Sequence, residues 1–156
     1  MPSSAHERID RLARHLSASG AGATTRSVVS SPMAQLTSHT RPPITSHALD
    51  TATGKPARGL PLKLEQLRGA VAGSWLVLGA TTTDEDGRAP GLLVPGTELV
   101  KGTYRVTFDT EAYFRSTGAP CFYPEVAVMF RVEDPSEHFH IPLLLSPFGY
   151  STYRGS

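Results

Sequence analysis

Three stretches of the chain alternate between apolar and polar positions with a period of two. Leu60, Leu62 and Leu64 alternate with Pro61, Lys63 and Glu65. Tyr104, Val106 and Phe108 alternate with Thr103, Arg105 and Thr107, and Val126, Val128, Phe130 and Val132 alternate with Glu125, Ala127, Met129 and Arg131. Successive side chains on a strand leave from opposite faces, so this period predicts strands with one face on a core. Shorter runs at 44–50, 75–83, 92–94, 138–145 and 149–153 fit further strands. Turn chemistry separates them: TGKPARG, DEDG, VPG, EDPSE and SPFG. One helix is expected, TEAYFRSTG, capped by Asp109 and closed by Gly118. About eight short strands with Gly/Pro punctuation and one small helix predict an all-β sandwich. Its edge strands need protection or a partner subunit.

This pattern starts at about residue 43 and runs to 156, which defines one domain without internal repeats. Residues 1–42 differ. The stretch SASGAGATTRSVVSSPMAQLTSHTRPP is rich in Ser, Ala, Thr and Gly and holds no aromatic residue. It has too little apolar surface to offset its ordering entropy, and reads as a flexible linker. Before it, HERIDRLARHL puts Ile9, Leu12 and Leu16 near one helical face. Arg8, Ile9, His15 and Leu16 resemble the four fixed places of the amino-terminal peroxisomal targeting signal. That resemblance implies recognition by the peroxisomal import receptor, with the cytoplasm as the alternative location. A mitochondrial transit peptide is also amphipathic but is poor in acids, and Glu7 and Asp10 count against it. No apolar segment of the secretory type is present, so a secretory leader is not expected.

Composition narrows the function classes. The net charge is +1 over 156 residues, with basic residues scattered along the chain. Nothing in that balance favours nucleic acid. No run reaches about 18 apolar residues, so no membrane-spanning helix is expected. There is no asparagine, hence no N-glycosylation acceptor. A single cysteine, Cys121, cannot form an internal disulfide and fits a reducing compartment. It is expected to be a small buried apolar residue rather than a nucleophile.

Three features could carry chemistry. In EHFHIPLLL, alternation puts Phe139, Ile141, Leu143 and Leu145 toward the core, and His138 and His140 outward together. In ITSHALD, His47 shares a face with Thr45 and Leu49, opposite Ile44, Ser46 and Ala48. In TDEDGR, Asp86-Gly87 marks a tight turn that presents Arg88, a planar donor fork for an anionic or carbonyl-rich ligand. Solvated surface histidines and an exposed loop arginine are the plain alternatives. A zinc site of His47, His138 and His140 is a third option, but no cysteine pair or supporting carboxylate has helpful spacing. A calcium loop is excluded, because counting from Asp84 the sixth and twelfth places hold Ala89 and Pro95 instead of Gly and Glu. The chain closes on YSTYRGS, a strand running into Arg154, Gly155 and Ser156, which implies a fixed terminus. These three residues are not a peroxisomal tripeptide of the Ser-Lys-Leu type.

ITSHALDTATGKPA, TDEDGR and HFHIPLLLSPFGYSTYRGS together resemble the 5-hydroxyisourate hydrolases, the transthyretin-related proteins. The resemblance spans about 44–156. It implies a transthyretin-like sandwich of two four-stranded sheets with one short helix. It implies a homotetramer, a dimer of dimers with clefts at the dimer–dimer interface. It implies opening of the 5-hydroxyisourate ring in urate breakdown, with no cofactor and no metal. By the same resemblance the active-site residues are His47, Arg88, His140, Tyr153 and Ser156, with His138 one step removed. His47 and His140 are expected to form a hydrogen-bonded pair that handles proton transfer, and Arg88 to meet the developing negative charge. A transthyretin-like carrier of a small hormone is the alternative from another class.

Overall fold

The computed structural model describes residues 41–69 and 73–156. The amino-terminal segment with Arg8, Ile9, His15 and Leu16 lies outside the described residues. Strands β1 (Ile44–Asp50), β2 (Lys55–Pro56), β3 (Pro61–Leu67), β4 (Trp75–Thr82) and β5 (Gly102–Phe108) are followed by helix α1 (Thr110–Thr117). Strands β6 (Val126–Val132), β7 (Phe139–Ser146) and β8 (Gly149–Ser151) complete the domain. They form two four-stranded sheets, ordered β2-β1-β7-β8 and β4-β3-β5-β6. Among the described residues this is the expected all-β sandwich with one short helix.

The period-two pattern explains the layering. Ile44 and Ala48 of β1, and Phe139, Ile141, Leu143 and Leu145 of β7, are buried from one sheet. Leu62 and Leu64 of β3, Tyr104, Val106 and Phe108 of β5, and Val126 and Val132 of β6 meet them from the other. Burying apolar surface contributes about 25 cal/mol per Å², and these side chains supply the main driving force. β1 and β7 run parallel at the centre of their sheet, while the other pairings are antiparallel. Ser46 is buried among the apolar residues of β1, and its hydroxyl donates to the Ile141 carbonyl at 2.8 Å, stitching the parallel pair on its core side.

Helix α1 starts where Asp109 accepts from the Ala112 amide, and stops at Gly118 in the left-handed conformation. Tyr113 docks it onto the first sheet by donating to Asp50 Oδ2 at 3.1 Å. Burial, and secondarily the Asp50 carboxylate, push the Tyr113 hydroxyl up to about 12. Asp50 also turns the chain after β1: its Oδ1 accepts from the amides of Ala52 and Thr53 at 2.9 and 3.3 Å.

Three details depart from the sequence expectation. The apolar run 92–94 is not a strand but part of a loop, with Leu92 and Leu93 buried. The loop passes so close to β4 that a Cβ at Gly79 would overlap the Leu92 carbonyl. Leu92 and Leu93 are apolar because they plug the core from outside the sheets, a role that period alone cannot separate from a strand. Conversely, Lys55–Pro56 pairs with β1 as a two-residue edge strand that is exposed throughout and carries no hydrophobic signal. Cys121 is half-buried rather than buried and packs against the core, with its thiol 3.2 Å from the Tyr123 carbonyl.

Gly79→Ala should therefore destabilise the domain by about 1–3 kcal/mol through forced displacement of the Leu92 segment. Urea unfolding of the two proteins checks this, and an unchanged midpoint would refute the packing assignment.

Candidate active site

The parallel register of β1 and β7 sets the site. It pairs Thr45 with His140 and His47 with Pro142. Because Ile44, Ser46 and Ala48 point into the core, Thr45 and His47 stand outward on the same face as His140. All three are half-buried.

The turn after β4 brings the arginine. One oxygen of Asp84 accepts from the amides of Asp86 and Arg88 at 3.0 and 2.9 Å, and Gly87 takes a positive φ of 74°. The acidic residue that might suggest a cation loop is thus engaged in holding the turn. Backbone bonds then dock the turn on β1: the Ala48 amide donates to Gly87 O at 2.8 Å, and the Ala89 amide to Ser46 O at 3.2 Å. Arg88 becomes the bridge partner of His47.

The terminal segment completes the face from the other side. The Gly155 amide donates to His140 O at 3.0 Å, making Gly155 the bridge partner of His140. Thr152 donates to Pro142 O at 2.8 Å. Arg154 pairs with Glu137 and lies over the Phe139 ring. Four chain segments therefore lie side by side, in the order Arg88, His47, His140, Gly155.

Glycine is required at both outer positions. A Cβ at Gly155 would overlap the His140 ring edge and lie 3.0 Å from its Cγ. A Cβ at Gly87 would overlap the Ala48 carbonyl and lie 3.2 Å from His47 Cδ2. Each histidine ring thus has bare backbone against its Cδ2 edge.

Thr45 was not singled out by the sequence. Its hydroxyl lies 2.9 Å from His140 Nδ1 and 3.1 Å from His138 Nε2. This differs from the expected hydrogen-bonded pair of His47 and His140: among the described residues His140 Nδ1 bonds Thr45, and no hydrogen bond joins His47 to His140. The available signal was Thr45 sharing His47's face, two positions earlier. Both ring nitrogens that would converge on an ion turn onto Thr45, and among the described residues no cluster of three or more His, Cys, Asp or Glu side chains is placed to hold one.

Burial is the main cause that holds His140 below the usual histidine value, followed by the positive character of His47, His138, Arg88 and Arg41. Burial and then Arg41 lower His138 too, while a hydrogen bond with the Pro42 carbonyl opposes the shift. The groups acting on His140 are all basic, so this face suits an electron-rich ligand and keeps the imidazole neutral near pH 7. Tyr153 stands apart. It is 59% exposed and lines a cleft of about 290 Å³ with Phe139, Ile141 and Phe130, residues of the core side. Within one chain the strand pairings and bridges bring His47, Arg88, His140 and Gly155 side by side, while Tyr153 lines that other cleft. Ser156 is exposed and directly follows the bridge to His140.

A family model described as the HIUase/Transthyretin family matches residues 44–155. Over 114 residues the chain is 49% identical to the 5-hydroxyisourate hydrolase of Mus musculus, covering 73% of this chain and 95% of that protein. The solved structure of Klebsiella pneumoniae 5-hydroxyisourate hydrolase superposes with a TM-score of 0.60 at 33% identity, over 72% of this chain and 97% of that one. Transthyretin from Sparus aurata superposes with a TM-score of 0.67 at 34% identity, over 74% and 97% of the two chains.

The charge arrangement is testable by NMR titration. His140 should titrate below about 6.5, the ordinary histidine value. Removing one positive neighbour with Arg88→Met should raise that midpoint. A midpoint that falls or stays fixed in the variant would show that Arg88 does not face the ring.

Proposed function

The chain belongs to the HIUase/transthyretin family, and from that premise we propose that it is a 5-hydroxyisourate hydrolase of urate degradation. It opens the six-membered ring of 5-hydroxyisourate to give 2-oxo-4-hydroxy-4-carboxy-5-ureidoimidazoline. The observation that carries this reading is the meeting of two imidazoles and one guanidinium on a single outer sheet face. A carrier needs shape and apolar contact. Hydrolysis of a cyclic amide needs a base for water, donors for the oxyanion and an acid for the departing nitrogen. The hydrolases among the relatives favour the catalytic reading over hormone carriage.

The chemistry follows from these groups. A neutral imidazole takes a proton from water as the oxygen attacks a ring carbonyl carbon. Arg88 donates to the oxygen that gains charge. The carbonyl carbon–nitrogen bond breaks, the nitrogen takes the proton back from the imidazolium, and a carboxylic acid is left. His47 and His140 share the proton work, and Ser156, beside His140, hydrogen-bonds the ring. Tyr153 contributes to substrate binding only if the assembled subunits bring it to a site. No step calls for a metal or a cofactor.

Assembly belongs to the same proposal. Among the described residues the site lies open on the outer face of one sheet, and β6 and β8 end their sheets with unpaired backbone edges. Phe148, Tyr150 and Met129 are exposed on or next to those strands. A homotetramer, built as a dimer of dimers, would cover these surfaces and turn the open face into a cleft.

Spectroscopy of freshly made 5-hydroxyisourate tests the activity. The protein should accelerate its decay. His47→Ala, His140→Ala and Arg88→Ala should each lower turnover about 10²–10⁴-fold with the far-ultraviolet circular dichroism unchanged. Near-wild-type turnover in all three would reject the site.

The cellular location is the last part of the proposal, and Arg8, Ile9, His15 and Leu16 support it as a peroxisomal address. A fluorescent fusion of the full chain should enter peroxisomes. Replacing Arg8 and His15 by alanine should leave it in the cytoplasm, and an unchanged distribution would rule the motif out.

A further inference from the structure

Thr45 stands between two imidazoles, and its hydroxyl has one proton to give. When both rings are neutral, that hydroxyl can donate to one and must accept from the other. The tautomers of His138 and His140 are therefore linked through a single O–H. His138 also has the Pro42 carbonyl as a neighbour, which favours a protonated ring nitrogen and can only accept. Its Nε2 faces Thr45.

We propose that Thr45 and His138 are positioning residues that fix His140 as the Nδ1–H tautomer and so make its Nε2 the general base. In this wiring His138 donates from Nδ1 to the Pro42 carbonyl, which leaves His138 Nε2 bare. The Thr45 hydroxyl donates to that nitrogen and accepts the Nδ1 proton of His140. The lone pair of His140 is then on Nε2, at the end of the ring away from its own Cβ. The inference rests on the hydrolase reading of the site and adds to it the identity of the base.

The proton count closes. His140 Nε2 takes one proton from the attacking water and becomes an imidazolium with Nδ1–H already directed at Thr45. It returns the Nε2 proton to the ring nitrogen released when the carbon–nitrogen bond breaks, and the starting tautomer is restored. His47, Arg88 and Arg41 also face His140 and oppose a lasting positive charge there, which favours that return. The backbone register makes the arrangement stiff, since Thr45 and His140 are direct partners across the parallel pair. The opposite wiring, with Thr45 donating to His140, would put the proton on Nε2 and make that atom an acid.

Thr45→Val keeps the shape and removes the hydroxyl, while Thr45→Ser keeps the hydroxyl. Protein labelled with ¹⁵N-histidine would be read by long-range ¹H–¹⁵N correlation above the titration midpoint. Wild type and Thr45→Ser should show His140 as Nδ1–H, and Thr45→Val should lose that preference. On 5-hydroxyisourate, kcat of Thr45→Val should fall at least about 10-fold with KM nearly unchanged, and Thr45→Ser should restore it. Wild-type His140 in the Nε2–H form would overturn the proposal, as would a Thr45→Val protein with unaltered tautomer and kcat. The wild-type spectrum alone decides the tautomer if Thr45→Val fails to fold. The spectrum needs no substrate, so an active wild type with the wrong tautomer sinks only this inference. A wild type without turnover sinks the hydrolase reading instead.

Discussion

The parallel pairing of β1 with β7 is the constraint on which the site rests. Its register places Thr45 beside His140 and His47 beside Pro142. A one-residue slip of β1 would turn Ile44, Ser46 and Ala48 outward and drive Thr45 and His47 into the apolar interior, and a slip of β7 would do the same to His140. The core side opposes that slip strongly, because Phe139, Ile141, Leu143 and Leu145 are all buried. The Ser46 hydroxyl on the Ile141 carbonyl adds a specific tie inside the core. Hydrophobic burial on one face thus sets, to within one residue, the chemistry on the other.

Once that pair is in place, the outer segments reach it through backbone. The Asp84 turn docks on β1, and the Gly155 segment docks on β7. In both cases a glycine lies against an imidazole edge where a methyl group would collide. This is close packing rather than loop flexibility: the rings are held by strand, hydroxyl and bare peptide. Such preorganisation suits catalysis of a hydrolytic step, where donors and base must stand ready before charge develops.

Much of this was legible along the chain. Period two located three of the strands and the shorter runs four more, and Asp109 and Gly118 bounded the helix at its observed ends. The same alternation put His47 and His140 outward. What period cannot show is which turn crosses which strand, so the contact of Arg88 with His47 came from the motif resemblance and not from spacing. Thr45 escaped notice because a threonine on a half-buried strand is common, and only the cross-strand register reveals its two nitrogen partners. The 92–94 run misled for a related reason. Leu92 and Leu93 are buried like strand residues, but they enter the core from a loop. Lys55–Pro56 was invisible because it is exposed on both faces.

The strict division of β1 and β7 into an inward and an outward set has an evolutionary consequence. The outward positions can be rewritten as a set while the inward ones keep the sandwich folded. Divergence can therefore exchange catalyst for carrier on one scaffold without passing through an unfolded ancestor. The same independence makes this sheet face a convenient platform for redesign toward other cyclic amides.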